Sequence, residues 1–221
     1  MTVIVRNAEP RDFDAVLALN NAAGPTILPL DAAGLKDLFE RACHFRLIEV
    51  DGTIAGFLPA LREDSGFQSR NFLWFRNHYA SFVYIDRIVV AKPCRGLGLG
   101  RVFYADVTSY AELRVPVLTC EVFLEPRDDV ALLFHGAFGF QEVGQRTTVS
   151  TGRRVALLAK ELCSFPYVRD TYLRGTAASL PELPWTAERR RVPILTSAAK
   201  TASGACSRSL ERPSPTPFGR R

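Results

Sequence analysis

Tyr84-Ile-Asp-Arg-Ile-Val-Val-Ala-Lys-Pro-Cys-Arg-Gly-Leu-Gly-Leu-Gly-Arg101 is the stretch on which the fold turns. Val83–Ala91 is apolar and β-branched and reads as a strand, whereas Leu99–Leu113 has helical spacing. Between them, Gly96, Gly98 and Gly100 stand at alternate positions, flanked by Arg95 and Arg101. Glycine permits positive φ and removes side chains, so neighbouring amides can converge on an anion. The helix that starts here adds unpaired amides and the positive end of its dipole. Such a loop is built to hold phosphate. A P-loop needs Lys-Ser/Thr after its last glycine, and a dinucleotide fingerprint needs glycine where Arg101 stands, so both fail on spacing.

Working outward, the second half alternates strand and helix: Val117–Phe123, Asp128–Phe138, then strands near Phe140–Ser150 and Arg154–Glu161. Alternation implies crossover units and a parallel strand pair. Towards the N-terminus, Thr2–Arg6 is a short strand. Helices are predicted from Pro10 to Gly24-Pro25 and after an N-cap at Asp31. Phe45–Val50 and Thr53–Leu58 flank Asp51-Gly52 as a hairpin. Residues 63–82 form a long aromatic connection with a short helix around Phe72–His78. Trp74 and Tyr79 there are expected to face a bulky or cationic acceptor. The fold class that follows is α/β: a mixed, mostly antiparallel sheet with flanking helices.

Length, 221 residues, suits one domain over 1–162 with a tail over 163–221. The tail holds ten Arg or Lys against four acids, and half of the fourteen prolines. It accounts for the net charge of +5 and leaves the remainder near neutral. A tail of this composition is expected to be mostly disordered, with a short helix near Val168–Ala178. Arg189-Arg190-Arg191 reads as a solvated charge run. A neutral domain lacks a polyanion footprint, so no specific nucleic acid is expected. No apolar run reaches a membrane span, and the N-terminus turns polar too early for a signal peptide, which favours a cytoplasmic protein without a membrane partner. Five scattered cysteines and three unpaired histidines show no metal-ligand spacing, and Cys94 reads as a passive loop residue.

The sequence resembles the GNAT superfamily of N-acetyltransferases. The family's cofactor motif, Arg/Gln-x-x-Gly-x-Gly/Ala, matches Arg95, Gly98 and Gly100. A second element, Asn-x-x-Ala-x-x-Phe-Tyr-x-x-x-Gly-Phe, aligns without gaps on Asp128, Ala131, Phe134, His135, Gly139 and Phe140. The resemblance covers residues 2–162. It implies a cleft where two central parallel strands splay apart and acetyl-CoA binds. Ile88, Val89 and Val90 would meet the pantetheine and thioester, and Arg95, Gly96, Leu97, Gly98, Leu99, Gly100 and Arg101 the pyrophosphate. Asp128, in place of Asn, would contact the pantetheine arm.

The resemblance further implies direct attack by a primary amine in a ternary complex, with the Val90 N–H stabilising the carbonyl oxygen. Asp86 is the first candidate base and equally a salt-bridged strand residue; Glu121 is the second. His135 stands where the family has a Tyr acid, and is either that acid or a packed helix residue. A catalytically silent acyl-CoA-binding module is the alternative function, and a homodimer stays open.

Overall fold

A computed structural model describes residues 1–147, 152–173 and 191–194. Among these, nine strands form one sheet in the order β7-β8-β6-β4-β3-β2-β1-β9, with β5 beside β3. The strands are β1 (Val3–Asn7), β2 (His44–Val50), β3 (Thr53–Arg62), β4 (Val83–Ile85), β5 (Val89–Val90), β6 (Val117–Glu125), β7 (Gln141–Thr147), β8 (Arg154–Glu161) and β9 (Arg191–Ile194). Every pairing is antiparallel except β4 with β6. The helices are α1 (Phe13–Ala22), α2 (Ala32–Arg41), α3 (Arg70–His78), α4 (Leu99–Glu112), α5 (Asp129–Ala137) and α6 (Phe165–Val168). None of them is long and apolar enough to cross a membrane.

Local chemistry explains most of the boundaries. The Asp31 side chain accepts from the Gly34 amide at 2.7 Å and starts α2. Asp51 and Gly52 both take positive φ, the geometry that a two-residue hairpin between twisted strands requires. Two helical layers sandwich the sheet. The buried face of α4 brings Phe103, Tyr104 and Val107 against Leu118, Cys120 and Leu158, and Ala131, Leu132 and Phe134 of α5 pack onto the same cluster. On the opposite side, α1 and α2 cover Leu47 and Phe57, while α3 lays Phe72 and Phe75 over Tyr84 and Leu157. Alternation along each strand separates these two faces.

Three differences from the sequence expectation have physical causes. Val83–Ala91 is not one strand: pairing stops after Ile85 and resumes at Val89, and residues 86–88 carry the bend. β3 runs on to Arg62, past the expected end at Leu58, because Ala60–Arg62 pair with β4. The segment after Leu162 also contributes structure where mostly disorder was expected. α6 buries Val168, begins before the expected Val168 start, and passes into a π-helical turn over Arg169–Leu173. Residues 174–178 of the expected helix lie outside the described residues.

β9 was not expected, since Arg191 read as part of a solvated charge run. Val192-Pro-Ile194 instead pairs with β1 in the register Val3↔Ile194 to Arg6↔Arg191. Pro193 disguised this strand, yet an edge position tolerates a missing amide donor. Arg189 and Arg190 lie outside the described residues, as does Thr148–Ser150 of the expected strand Phe140–Ser150.

Gly56 fixes how closely β3 approaches β5. A Cβ at this position would sit 2.6 Å from the Val89 carbonyl oxygen and 3.1 Å from the Phe103 ring. Backbone cannot rotate away as a flexible side chain can, so Gly56→Ala is expected to cost about 1–3 kcal/mol by overpacking. A lower denaturation midpoint at unchanged m-value would show it.

Candidate active site

The parallel pair that positions the site is short: Val83↔Leu118, Tyr84↔Thr119 and Ile85↔Cys120. Beyond that point the two chains part. β5 continues against β3 alone, and β6 continues against β8. Asp86 and Glu121 are the first residues past the last pair, one on each side of the divergence. Ala91 donates to Ala55 O at 2.8 Å, which turns its amide towards β3. Alternation along an extended chain then directs the Val90 N–H the other way, into the gap that β6 has left.

The glycine loop closes the open end of this gap. A 3₁₀ turn over Lys92–Cys94 leads into it, and Gly96 and Gly98 have φ of 81° and 82°, values that L side chains rarely adopt. Gly98 is the N-cap of α4. The first amides to bond back into the helix are those of Arg101 and Val102, both to Gly98 O at 3.0 and 3.2 Å. The amides of Leu99 and Gly100 precede them without an intrahelical partner, as at any helix start. Gly96, Gly98, Leu97 and Arg101 are exposed, so the turn is open to solvent and unobstructed by side chains.

The other residues marked in the sequence divide by position. Ile88 is half-buried beside Gly100, and the Leu99 side chain is core, leaving its amide for a ligand. Gly100 serves packing as well, because a Cβ there would lie 3.0 Å from the Phe134 ring of α5. Arg95 bends back, donating from Nε to Val90 O at 3.2 Å and from Nη2 to Ala23 O at 3.4 Å, which ties the loop to β5 and the end of α1. Asp128 is the N-cap of α5, its Oδ1 accepting from the Ala131 amide at 2.9 Å. Cys94 is half-buried in the 3₁₀ turn.

The acids separate clearly. Asp86 is 2.6 Å from Arg87 Nε, and Arg87 also donates to Asn20 Oδ1 at 2.7 Å and Leu28 O at 3.0 Å. Asp86 therefore holds an arginine that anchors α1 and the loop after it. Glu121 forms no ion pair among the described residues, although the charge of Arg87 reaches it and lowers its pKa. Burial pushes its carboxyl up to about 7; the Tyr84 hydroxyl, donating at 2.9 Å, opposes the rise and the negative charge of Asp86 adds to it. The Asn71 side chain on α3 lies close enough to oppose the rise as well. Tyr84, held well above the usual phenol value by burial, stays a donor.

His135 sits within the packing of α4 and α5. Its ring is buried among Tyr104, Phe134 and Phe140, and Nδ1 lies 2.7 Å from Ala131 O, which can only accept. Burial lowers its pKa, so the ring is neutral with its proton on Nδ1.

A central sheet opened at a parallel pair, an amide aimed into the opening and a glycine-rich helix start at its mouth define an acyl-CoA-dependent transferase fold. The chain belongs to the acetyltransferase (GNAT) family, whose model matches residues 14–140. Comparison with curated protein sequences gives no significant match. Solved structures match at low identity. The ribosomal-protein-S18-alanine N-acetyltransferase from Escherichia coli has TM-score 0.55 and 17% identity, over 72% of this chain and 94% of that one. Ard1 from Thermoplasma volcanium has TM-score 0.59 and 17% identity, over 73% and 99%. Arabidopsis thaliana Naa50, in complex with the bisubstrate analogue CoA-Ac-MVNAL, has TM-score 0.54 and 16% identity, over 72% and 99%. These likenesses establish the fold.

Glu121 gives a stability test. It titrates near 7 when folded and near 4.5, the ordinary glutamate value, when unfolded. Between those values the unfolded chain loses its proton first, so stability falls as pH rises through the window. Below 4.5 the burial carries no charge penalty, and above 7 it carries the whole of it. Glu121→Gln is therefore expected to gain in Tm relative to the parent between pH 5 and pH 8, as scanning calorimetry would record.

Proposed function

We propose that the protein transfers an acetyl group from acetyl-CoA to a primary amine by direct attack in a ternary complex, with Glu121 as general base. The carrying observation is the place of Glu121: at the divergence of β4 and β6, half-buried, hydrogen-bonded by the Tyr84 hydroxyl and titrating near physiological pH. The ideal base ionises near the working pH, because it must be deprotonated yet still willing to take a proton. Asp86 is the weaker candidate, since Arg87 already neutralises it.

The residues present fit the cofactor. Amides at residues 96–100, the start of α4 and the exposed Arg101 suit a pyrophosphate, and the gap beside Val90 suits an extended pantetheine arm. Arg95 contributes by bracing the loop. For Asp128 the capping bond to α5 leaves one carboxylate oxygen for the arm. Acetyl-CoA supplies the thioester carbonyl, and transfer replaces the carbon–sulfur bond with a carbon–nitrogen bond. In this reading the Val90 N–H holds the carbonyl oxygen as it gains charge. Glu121 takes the proton from the amine, and Tyr84 and Asn71 keep its carboxylate oriented. Water protonates the departing thiolate, because the neutral His135 has its only N–H on a backbone carbonyl. Holding both reactants in line supplies the rest of the acceleration.

That same histidine favours a second reading, a catalytically silent acyl-CoA-binding module. Thiol release separates the two: turnover with any amine dismisses the silent module. Glu121→Gln is expected to lower kcat by roughly a hundredfold or more while acetyl-CoA still binds by calorimetry. The parent kcat/KM should rise with pH through a limb near 7. Activity retained by Glu121→Gln would remove this base. Gly98→Trp is expected to abolish acetyl-CoA binding with the circular dichroism spectrum preserved, since an indole at the open turn occupies the place of the phosphates.

A further inference from the structure

α3 crosses the sheet face that carries Glu121, and its two ends of contact define a distance. Near its start, the Asn71 side chain lies by Glu121. One turn later, Trp74 lies over β7, where a Cβ added to Gly144 would sit 3.2 Å from the indole. Glu121, Leu157 and Gly144 are register partners across β6, β8 and β7. Two strand spacings of about 4.8 Å put Gly144 on the order of 10 Å from Glu121.

Beside Trp74 runs a groove between α3 and the edge strand β7, lined by Arg70, Leu73, Trp74, Asn77 and Arg146. Its walls are firm: the indole stacks on His78 at 3.8 Å between centroids, and Arg146 donates from Nη1 to the Arg70 carbonyl. No acid lines it, and among the described residues neither Arg70 nor Arg146 has a carboxylate within ion-pair distance. Two arginines line it together with an aromatic wall and an amide, a set that matches a carboxylate with its apolar stem. A cationic acceptor, one half of the bulky-or-cationic expectation drawn from Trp74 and Tyr79, meets two like charges here. Tyr79 is half-buried, with its ring centroid 6.3 Å from that of Phe75, and does not line the groove.

We infer that the groove is an acceptor subsite that binds a carboxylate lying on the order of 10 Å from the amine that is acetylated. In an extended peptide at about 3.3 Å per residue this is an acidic side chain near the third position. The inference rests on Glu121 marking the place of the attacking amine.

The test uses the full chain with CoA bound and reads affinity by calorimetry, independently of turnover. A single Glu is moved through positions two to four of an N-acetylated alanine peptide, with Gln at the same position as the control. A matched charge-assisted contact predicts about tenfold tighter binding for Glu than Gln, greatest at the third position. Arg70→Ala/Arg146→Ala should bring that ratio to about one, and Arg146→Glu should shift preference to a Lys-bearing peptide. The Lys variant at both positions should keep part of the Glu preference, which excludes simple misfolding. Equal affinity for Glu and Gln at all three positions, or a preference that survives the double Ala variant, overturns the subsite. Glu121→Gln should abolish turnover and leave the ratio intact. A preference that survives beside full turnover in Glu121→Gln would sink the base and spare the groove, whereas loss of turnover with no preference would do the reverse.

Discussion

The three-residue parallel contact between β4 and β6 is the constraint on which the rest depends. Parallel strands are joined by crossovers, so this pair forces α4 to span from one strand to the next and sets the helix start beside the strand ends. Because the pairing ends at Ile85 and Cys120, the sheet's interior opens there. Val90 then presents an amide to the opening, and Glu121 becomes a half-buried acid at its apex. Had β4 run unbroken to Ala91 against β6, the same residues would be ladder partners with nothing to bind.

The opening is kept by close backbone packing. Gly56 admits the Val89 carbonyl, and Gly100 admits the ring of Phe134, so that α4 and α5 meet where the loop turns. Gly100 belongs to the phosphate motif in sequence, yet in the fold it is equally a packing residue. Asp128 has the same double character, since its capping bond fixes the start of α5. Two motif residues thus owe part of their identity to helix geometry.

α3 builds up the sheet face that carries Glu121. It fills the connection between β3 and β4, buries Phe72 and Phe75, and reaches across two further strands. Its buried face supplies the packing that holds it, and its first turn supplies Asn71 to Glu121. The groove it forms with β7 is then a consequence of where a firmly packed helix ends.

The sequence by itself determined the glycine turn, the helix after it and the hairpin at Asp51-Gly52, because positive φ, capping and β-branched runs act within a few residues. It also carried the two motifs that mark the family, including the change from Tyr to His at 135. Only the tertiary structure decided which acid is free. Asp86 and Glu121 look alike in sequence, but Arg87 forms an ion pair with one, whereas the other accepts from the Tyr84 hydroxyl. It likewise decided that His135 is neutral, that Trp74 faces arginines, and that Arg191–Ile194 joins the sheet. Those outcomes depend on burial and on how strands and helices come together, and a charge or a ring carries no record of its surroundings until the chain has folded.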